Sequence, residues 1–354
     1  MVRLTWLQFR VQTFVVLAAL ALVAIAVVLT EPQLAHIRSL VATPCETPGS
    51  CVPALIAASS TDIPLQMLLS GTMLAAPALL GIFWGAPLVA RELESGTFRL
   101  IWTQSVSRRR WLAVKLGVVG LASAAAAGLL SLLVTWWFGP IDLVNANRFD
   151  PAVFDVRGIV PVGYALFAFA VGVTAGVLIP RVLPAMAVSL AVYVGVRVVM
   201  TFWVRPHLLP PVRQRLPFVM APGIGMARTT TGLALIAPTP KLPNAWVYAN
   251  VVVDQTGHAP STAFLQSACP SLAGGLSGAG PIAQVGGAHT APGPGARPGL
   301  QACVSAVAAR FHQVVTYQPA DRYWVFQGIE TAIYVGLGLL LAGLCLWWVQ
   351  RRVA

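Results

Sequence analysis

The sequence has few charged residues for its length. Charged side chains make up 10% of the 354 residues, compared with about 25% in a typical soluble domain. Hydrophobic residues account for 57% of the chain, which leaves too little polar surface to cover a core of that size in water. This composition excludes an ordinary soluble protein and predicts an integral membrane protein.

Several catalytic signatures are also absent from the sequence. It has no G-x-x-x-x-G-K-[ST] phosphate-binding loop, no H-E-x-x-H and no G-x-S-x-G. The chain is therefore not expected to hydrolyse ATP through a P-loop. The five histidines are scattered and the cysteines lack the C-x2-C spacing that zinc favours, so we expect neither a metal nor a cofactor.

Six apolar stretches are long enough to cross the hydrocarbon core of a bilayer, which takes about 20 residues. They lie at roughly 11–30, 66–90, 116–138, 158–179, 184–204 and 323–349. The first stretch is longer than the core of a signal peptide, which has about 7–15 residues, so we expect it to remain as the first span. The ten residues before it fit either an amphipathic surface helix or a basic tail.

Basic residues are concentrated on one side of these spans. With the N-terminus inside, the cytoplasmic loops and termini hold eleven Lys and Arg residues against two acidic ones, whereas the short outer loops hold three Arg against six Asp and Glu. The positive-inside rule then places both termini in the cytoplasm. The formal charge of +12 is explained as an orientation signal, and no nucleic-acid site is expected.

Four of the five cysteines fall in segments predicted to face the outside, where disulfides persist. Proximity in sequence suggests the pairs Cys45–Cys51 and Cys269–Cys303, although four cysteines allow three connectivities. Cys345 lies in the last span and is expected to pack as a small apolar residue.

The segment 205–322 is too long for a simple connection between spans. Much of 269–303 is rich in Gly, Ala and Pro, which predicts irregular structure. The run NAWVYANVVVDQTG alternates like a short strand, and 303–324 fits a helix leading into the last span. The predicted fold is an all-α membrane protein with a small irregular extracytoplasmic domain. Its parts are a membrane domain (1–204), the outer domain (205–322), and the sixth span with a cytoplasmic C-terminus (323–354).

Two ionisable residues lie inside predicted spans, where a charge is costly and points to function. Arg197 is in the fifth span and Glu330 is in the outer third of the sixth. Three interpretations remain open: the two residues pair, they line a substrate path, or Glu330 simply reaches the outer interface.

Small residues offer sites for close helix packing. Gly81 with Gly85, and Gly172 with Gly176, form G-x-x-x-G steps. Such steps permit close approach of helices in a membrane. In a chain rich in Ala and Gly they also arise by chance, so the sequence does not say which helices they join.

The segment 91–115, RELESGTFRLIWTQSVSRRRWLAVK, carries charges of both signs between the second and third spans. Arginines at the start of a helix oppose its dipole, so they are better explained as an anchor at the lipid headgroups. Phe98, Ile101 and Trp102 are apolar residues in a loop predicted to be cytoplasmic. They fit either a docking surface or a contact with the membrane interface.

In combination these features resemble the ABC-2 type permeases, the membrane subunits of ABC exporters. The resemblance rests on six spans with both termini inside, the amphipathic N-terminal lead, the RE-x-E-x-GT…SR…K segment, the IPRVLPAMAVSL turn and the ending FQGIETAIY…WWVQRR. The residues that match in the segment are Arg91, Glu92, Glu94, Gly96, Thr97, Ser107, Arg108 and Lys115. The resemblance covers most of the chain except the outer segment, which is larger than is usual in the family.

The resemblance implies a transport subunit of the cell membrane, not an enzyme. In that family the segment after the second span carries a coupling helix that docks into a separate P-loop ATPase, and two permease chains, identical or different, assemble with two ATPases. The resemblance implies that the ATPase contact is made by Glu92, Glu94, Gly96, Thr97, Phe98 and Trp102. Membrane lipid is the other expected partner.

Two other classes of function remain open. The first is an ion-coupled secondary transporter that uses Arg197 and Glu330. The second is a membrane enzyme or sensor that uses the outer domain. The substrate is not encoded in any recognisable motif.

Overall fold

The structure is a computed structural model and describes residues 2–30, 63–96, 107–142, 148–218, 224–229, 232–237, 240, 242, 244–270, 282–284 and 296–351. The chain divides into two compact units. The first, which we call the membrane unit, comprises Met1–Leu209 and Asp321–Ala354; the second, the inserted unit, is Pro210–Ala320. Each unit is described by itself.

The helices, in chain order, are α1 (Val2–Leu29), α2 (Ile63–Leu80), α3 (Pro87–Glu94), α4 (Arg108–Asp142), α5 (Pro151–Phe154), α6 (Val160–Leu178), α7 (Val182–Val199), α8 (Thr262–Ala268), α9 (Ala296–Ala308) and α10 (Tyr323–Arg351). A π-helical turn, Gly81–Gly85, joins α2 to α3. A second one, Met200–Val204, extends α7 and leads into a 3₁₀ turn at Arg205–His207.

Six helical segments are long and apolar enough to cross a membrane: Arg10–Leu29, Pro64–Glu94, Arg109–Gly139, Val160–Leu178, Val182–His207 and Ala320–Arg351. Each overlaps one of the predicted spans, so the prediction of a largely helical chain with six spans is confirmed. Some helices run beyond the predicted limits, because polar residues at an end continue the helix past its apolar run. The clearest case is α4, which begins at Arg108.

The helix α6 lies at the centre of the membrane unit. Of its span, 89% is buried within the chain, compared with 17% of the fifth span and 6% of the first. A helix that is apolar on all sides, such as α6, is suited to such a position. The first and fifth spans instead present most of their surface outward.

The two G-x-x-x-G steps pack against each other. A Cβ atom added at Gly81 would lie 2.7 Å from the carbonyl oxygen of Ala168, and one at Gly85 would lie 2.6 Å from that of Phe169. A Cβ at Gly172 would meet the carbonyl oxygen of Gly81 and would lie 2.9 Å from the Cα of Gly85. The backbones of α6 and the π-helical turn therefore approach as closely as glycine allows.

Buried apolar side chains of the membrane unit form separate clusters between the spans. One cluster includes Trp84, Trp111 and Phe169, where the second, third and fourth spans meet. Another includes Val27 and Trp137 from the first and third spans. The indole of Trp137 donates a hydrogen bond of 2.8 Å to Thr30 Oγ1, so the end of α1 is attached to α4.

The inserted unit contains two three-stranded antiparallel sheets. Their strands are β1 (Val212–Pro217), β2 (Gly225–Thr229), β3 (Gly232–Ile236), β4 (Trp246–Val253), β5 (Ile282–Gln284) and β6 (His312–Gln318). The strand orders are β1-β6-β4 and β3-β2-β5. Between the helices of this unit, Cys269 and Cys303 form a disulfide within an apolar core that also includes Met226, Leu265 and Val307.

The expectation of an all-α chain with an irregular outer segment needs correction for this unit. The strand expected in NAWVYANVVVDQTG is present as β4, but the other strands were not anticipated. The single helix expected over 303–324 is also wrong, because α9 ends at Ala308 and β6 follows it. The run VVTY is β-branched and aromatic, which favours a strand, and it gains two partners, β1 and β4.

Candidate functional site

The segment predicted to couple to an ATPase leaves the membrane unit at the end of α3. Its residues 97–106, which include Thr97, Phe98 and Trp102, lie outside the described residues. Gly96 has a φ of +71°, a left-handed conformation that suits glycine. Its amide donates a hydrogen bond of 3.4 Å to the carbonyl oxygen of Leu93. The chain therefore turns out of the helix at Gly96.

A largely buried ion pair joins the two ends of this segment. Lys115 Nζ lies 2.5 Å from Glu92 Oε1, and the side chains are 3% and 12% exposed respectively. Lys115 also lies 4.6 Å from the centroid of the Trp111 ring. Because Glu92 is on α3 and Lys115 is on α4, the pair connects the end of the second span to the start of the third.

Glu94 makes a third connection. Its Oε2 accepts a hydrogen bond of 3.0 Å from the backbone amide of Val182, the first residue of α7. A carboxylate at this position is favoured by the dipole of the helix and satisfies one of its free amides. The base of the 97–106 segment is thus attached to the second, third and fifth spans together.

A second polar site lies near the start of α6, at the end of that helix remote from this base. It consists of Asp155, Arg197, Arg205 and Glu330, which we call the charge cluster. Their side chains are at most 12% exposed. Two arginines face two carboxylates, so the cluster is formally neutral, as burial requires.

Several contacts hold the charge cluster together. Arg197 Nη2 lies 2.7 Å from Asp155 Oδ2, and Arg197 Nη1 lies 3.6 Å from Glu330 Oε1. Arg205 Nε lies 2.8 Å from Glu330 Oε2, and Arg205 Nη2 contacts Asp155 Oδ1. Each arginine therefore bridges both carboxylates, and α7, α10 and the turn after α5 meet at one point.

Aromatic rings surround the charge cluster. The hydroxyl of Tyr164 lies 2.6 Å from Glu330 Oε1 and 3.2 Å from Asp155 Oδ1. The guanidinium of Arg197 lies 3.6 Å from the centroid of the Tyr164 ring. That of Arg205 lies 4.2 Å from the centroid of the Phe154 ring. These cation–π contacts add to the stability of charges removed from water.

One fully buried amide, Gln327, fixes the start of α6 beside the charge cluster. Its Oε1 accepts hydrogen bonds from the amides of Ile159 (3.1 Å) and Val160 (3.0 Å). Its Nε2 donates 3.1 Å to the carbonyl oxygen of Phe154. Gly158 has a φ of +72°, and a Cβ there would lie 2.7 Å from Gln327 Oε1. The site is therefore braced from α10 by an uncharged side chain.

The sequence singled out Arg197 and Glu330 but not their partners. Asp155 was placed in a short outer loop and Arg205 in the outer domain. The structure brings Arg205 into line with Arg197 because the π-helical turn Met200–Val204 accommodates one extra residue. Their separation of eight residues then acts like seven, about two turns of helix, and both side chains reach the same face. A repeated arginine at the end of an apolar span was the available signal.

Most of the residues described above lie in a region that matches a known protein family. A family model described as ABC-2 membrane transporter related matches residues 17–205, which is more than half of the sequence. The chain belongs to the ABC-2 membrane transporter related family. No curated protein and no solved structure matches it.

As an ABC-2 type permease, the protein is a transmembrane transport component. The matched region begins within the first span and extends almost to the end of the fifth; it includes the base at Glu92 and Glu94, and Asp155, Arg197 and Arg205 of the charge cluster. The inserted unit and the sixth span, with Glu330, lie beyond it. The family match therefore covers the base of the 97–106 segment in full and the charge cluster in part.

The remaining predicted residues are cysteines, four of them candidates for disulfides and one expected to pack in the last span. Cys269 and Cys303 are joined in the inserted unit, whereas Cys45 and Cys51 lie outside the described residues. Cys345 is buried in α10, with its Sγ 3.3 Å from Thr174 Oγ1. Among the described residues, no group of three or more His, Cys, Asp or Glu is arranged to hold a metal ion.

Proposed function

We propose that the chain is the permease subunit of an ATP-binding cassette exporter and is driven by a separate P-loop ATPase. The observation that carries this proposal is the three-way attachment at the base of the 97–106 segment. A displacement of that segment would be transmitted through Glu92, Lys115 and Glu94 to three spans at once. An isolated surface loop would not need a buried ion pair at its root.

The proposal includes an orientation. Both termini and the 97–106 segment face the cytoplasm of a cell membrane, and the inserted unit, corresponding to the outer domain 205–322, faces outward. The excess of Lys and Arg on one side supports this orientation. The Cys269–Cys303 disulfide supports it independently, since disulfides persist in oxidising compartments.

The mechanism follows from this arrangement. Closure of the ATPase dimer moves the 97–106 segment, and the base transmits the movement to the second, third and fifth spans. The fifth span also carries Arg197 and leads to Arg205, so its movement bears on the charge cluster. Differential binding to two conformations supplies the driving force. A second permease chain, identical or different, completes the transport path.

The ion-coupled alternative rests on Arg197 and Glu330. The structure pairs both within a compact neutral cluster in which the Glu330 side chain is 0% exposed. A relay needs a carboxylate that communicates with water on one side during the cycle. This geometry therefore fits a structural latch better than a relay, and the ATP-driven exporter is the preferred function.

The test uses charge substitutions in the 97–106 segment. Phe98→Asp and Trp102→Asp are expected to abolish co-purification of the permease with its ATPase and the stimulation of ATP hydrolysis by the permease. Ser107→Asp is the matched control, because it adds the same charge at the end of the segment where Ser107 Oγ already accepts a 3.4 Å hydrogen bond from the amide of Arg110. Unchanged association and stimulation in both test variants would refute the docking role.

A further inference from the structure

An apolar groove opens on the side of the membrane unit between α1, α2 and α4. It encloses about 750 Å³. Its floor includes the buried side chains of Leu80 and Leu130, and its rim includes the exposed side chains of Val15, Leu79 and Phe83. An exposed rim over a buried floor means that the groove is reached from the lipid side of the bundle.

Small residues create this groove. Those that line it are Ala19, Gly71, Ala75, Ala76, Ala126 and Ala127. Protein interiors seldom leave a void larger than a water molecule, and apolar atoms facing a void lose their dispersion contacts. Water is a poor filling because the lining offers it few polar partners. The groove therefore calls for an apolar occupant.

The length of the groove matches one leaflet of a bilayer. It runs from Val11 to Val23 along α1, about 18 Å at 1.5 Å per residue. Val11 lies next to the end of the first span, which is Arg10–Leu29. Half of the hydrocarbon core is about 15 Å thick. The groove thus extends from the headgroup level to the middle of the membrane.

The shape of the groove favours a thin occupant. Its walls belong to three neighbouring helices, α1, α2 and α4. A hydrocarbon chain carries no side chains and can follow the space between them along its length, whereas a helix with side chains is about 10–12 Å across.

A polar group marks the headgroup end of the groove. Gln12 Nε2 donates a hydrogen bond of 3.3 Å to the carbonyl oxygen of Phe83. Gln12 Oε1 is buried and has no hydrogen-bond partner within the described part of the chain. It lies one residue from the groove's start and can accept a hydrogen bond from the polar end of a lipid.

We propose that this groove binds one acyl chain of a phospholipid from the leaflet next to the N-terminal end of α1. The chain fills the space between α1 and the second and third spans. Since only 6% of the first span is buried within the protein, the bound lipid supplies contacts that the protein lacks there. This binding does not depend on the proposed partner ATPase.

The experiment reconstitutes the full-length permease in vesicles of phosphatidylethanolamine and phosphatidylglycerol. The vesicles contain a trace of phosphatidylethanolamine, whose ammonium group can donate to Gln12 Oε1, with a photoreactive diazirine in the middle of one acyl chain. After irradiation, labelled peptides are mapped by mass spectrometry. Label is expected to concentrate on residues of the groove such as Ala19, Ala75 and Leu79. Ala75→Trp, which fills the groove, is expected to reduce this labelling several-fold.

The control is Ala125→Trp, the same change on an exposed face of α4 outside the groove lining, which should leave labelling unchanged. The wild-type map tests the proposal without either variant. Label spread evenly over exposed apolar residues such as Leu121 and Leu340, or groove labelling unaffected by Ala75→Trp, would overturn the proposal.

Discussion

Replacing Gly172 by alanine tests the close contact between α6 and the π-helical turn. The new Cβ would lie 2.8 Å from the amide nitrogen of Ala86 and 2.9 Å from the Cα of Gly85, and it would also meet the carbonyl oxygen of Gly81. All of these are backbone atoms, so no side-chain rotation relieves the clash. The helices must separate by several tenths of an ångström or more, breaking contacts along their interface.

Overpacking of this kind typically costs about 1–3 kcal/mol. We expect Gly172→Ala to lie at the upper end, near 3 kcal/mol, because the obstacle is backbone on three sides. The matched control is Gly117→Ala in α4, where a Cβ would find nothing within 4 Å. There the better helix propensity of alanine should raise stability by up to about 1 kcal/mol.

The assay is reversible unfolding of the purified permease in mixed detergent and SDS micelles, followed by tryptophan fluorescence. The two glycine variants should shift the midpoint in opposite directions. If Gly172→Ala were as stable as the wild type, or if both variants gave the same shift, the close approach of the two G-x-x-x-G steps would be incorrect.

Three further predictions concern charges and the disulfide. Arg205→Met removes one arginine from the charge cluster and leaves an excess buried carboxylate, so it should lower the free energy of unfolding by about 3–5 kcal/mol. Arg205→Lys keeps the charge but not the fork of donors, so it should lower the free energy of unfolding by less in the same assay. Equal losses of stability in the two variants would argue against a charge effect. Reduction of the disulfide, or replacement of Cys269 and Cys303 by alanine, opens a loop with a sequence separation of 34. This change should destabilise the inserted unit by about 4 kcal/mol on the chain-entropy account. Proteolysis within that unit should become faster, and an unchanged rate of proteolysis would contradict the prediction. Glu92→Gln breaks the ion pair with Lys115 and should reduce ATP-dependent transport more than it reduces ATPase binding; a parallel loss of both activities would place Glu92 at the docking surface instead.

The spans were predictable because each depends on a property of a single continuous segment. An apolar run of about 20 residues must form a helix across the hydrocarbon, whatever its neighbours are. The G-x-x-x-G steps were visible for the same reason. Their pairing was not, because Gly81 and Gly172 are far apart in the sequence and no local feature identifies the partner.

The charge cluster shows a different limit. Arg197 and Glu330 stood out because they interrupt apolar runs. Asp155 and Arg205 lie at the ends of such runs, where charged residues are ordinary. Only the π-helical turn before Arg205 and the short helix before Asp155 bring them inward, and neither leaves a strong mark in the sequence.

The inserted unit was the least predictable part. Its strands are short and depend on partners from distant positions, as when β6 lies between β1 and β4. A short strand gains its stability from cross-strand pairs more than from its own propensity. The composition rich in Gly, Ala and Pro predicted irregular structure for 269–303, yet the described residues of that segment include the strand β5, which pairs with β2.

The pairing of β1 with β6 has a consequence for the history of the gene. Val212 is opposite Tyr317 in that pair, so the first and last strands of the inserted unit end side by side, only about 5 Å apart. A module whose entrance and exit adjoin can be spliced into a hairpin between two helices, or removed from it, without changing the distance that the flanking helices must keep.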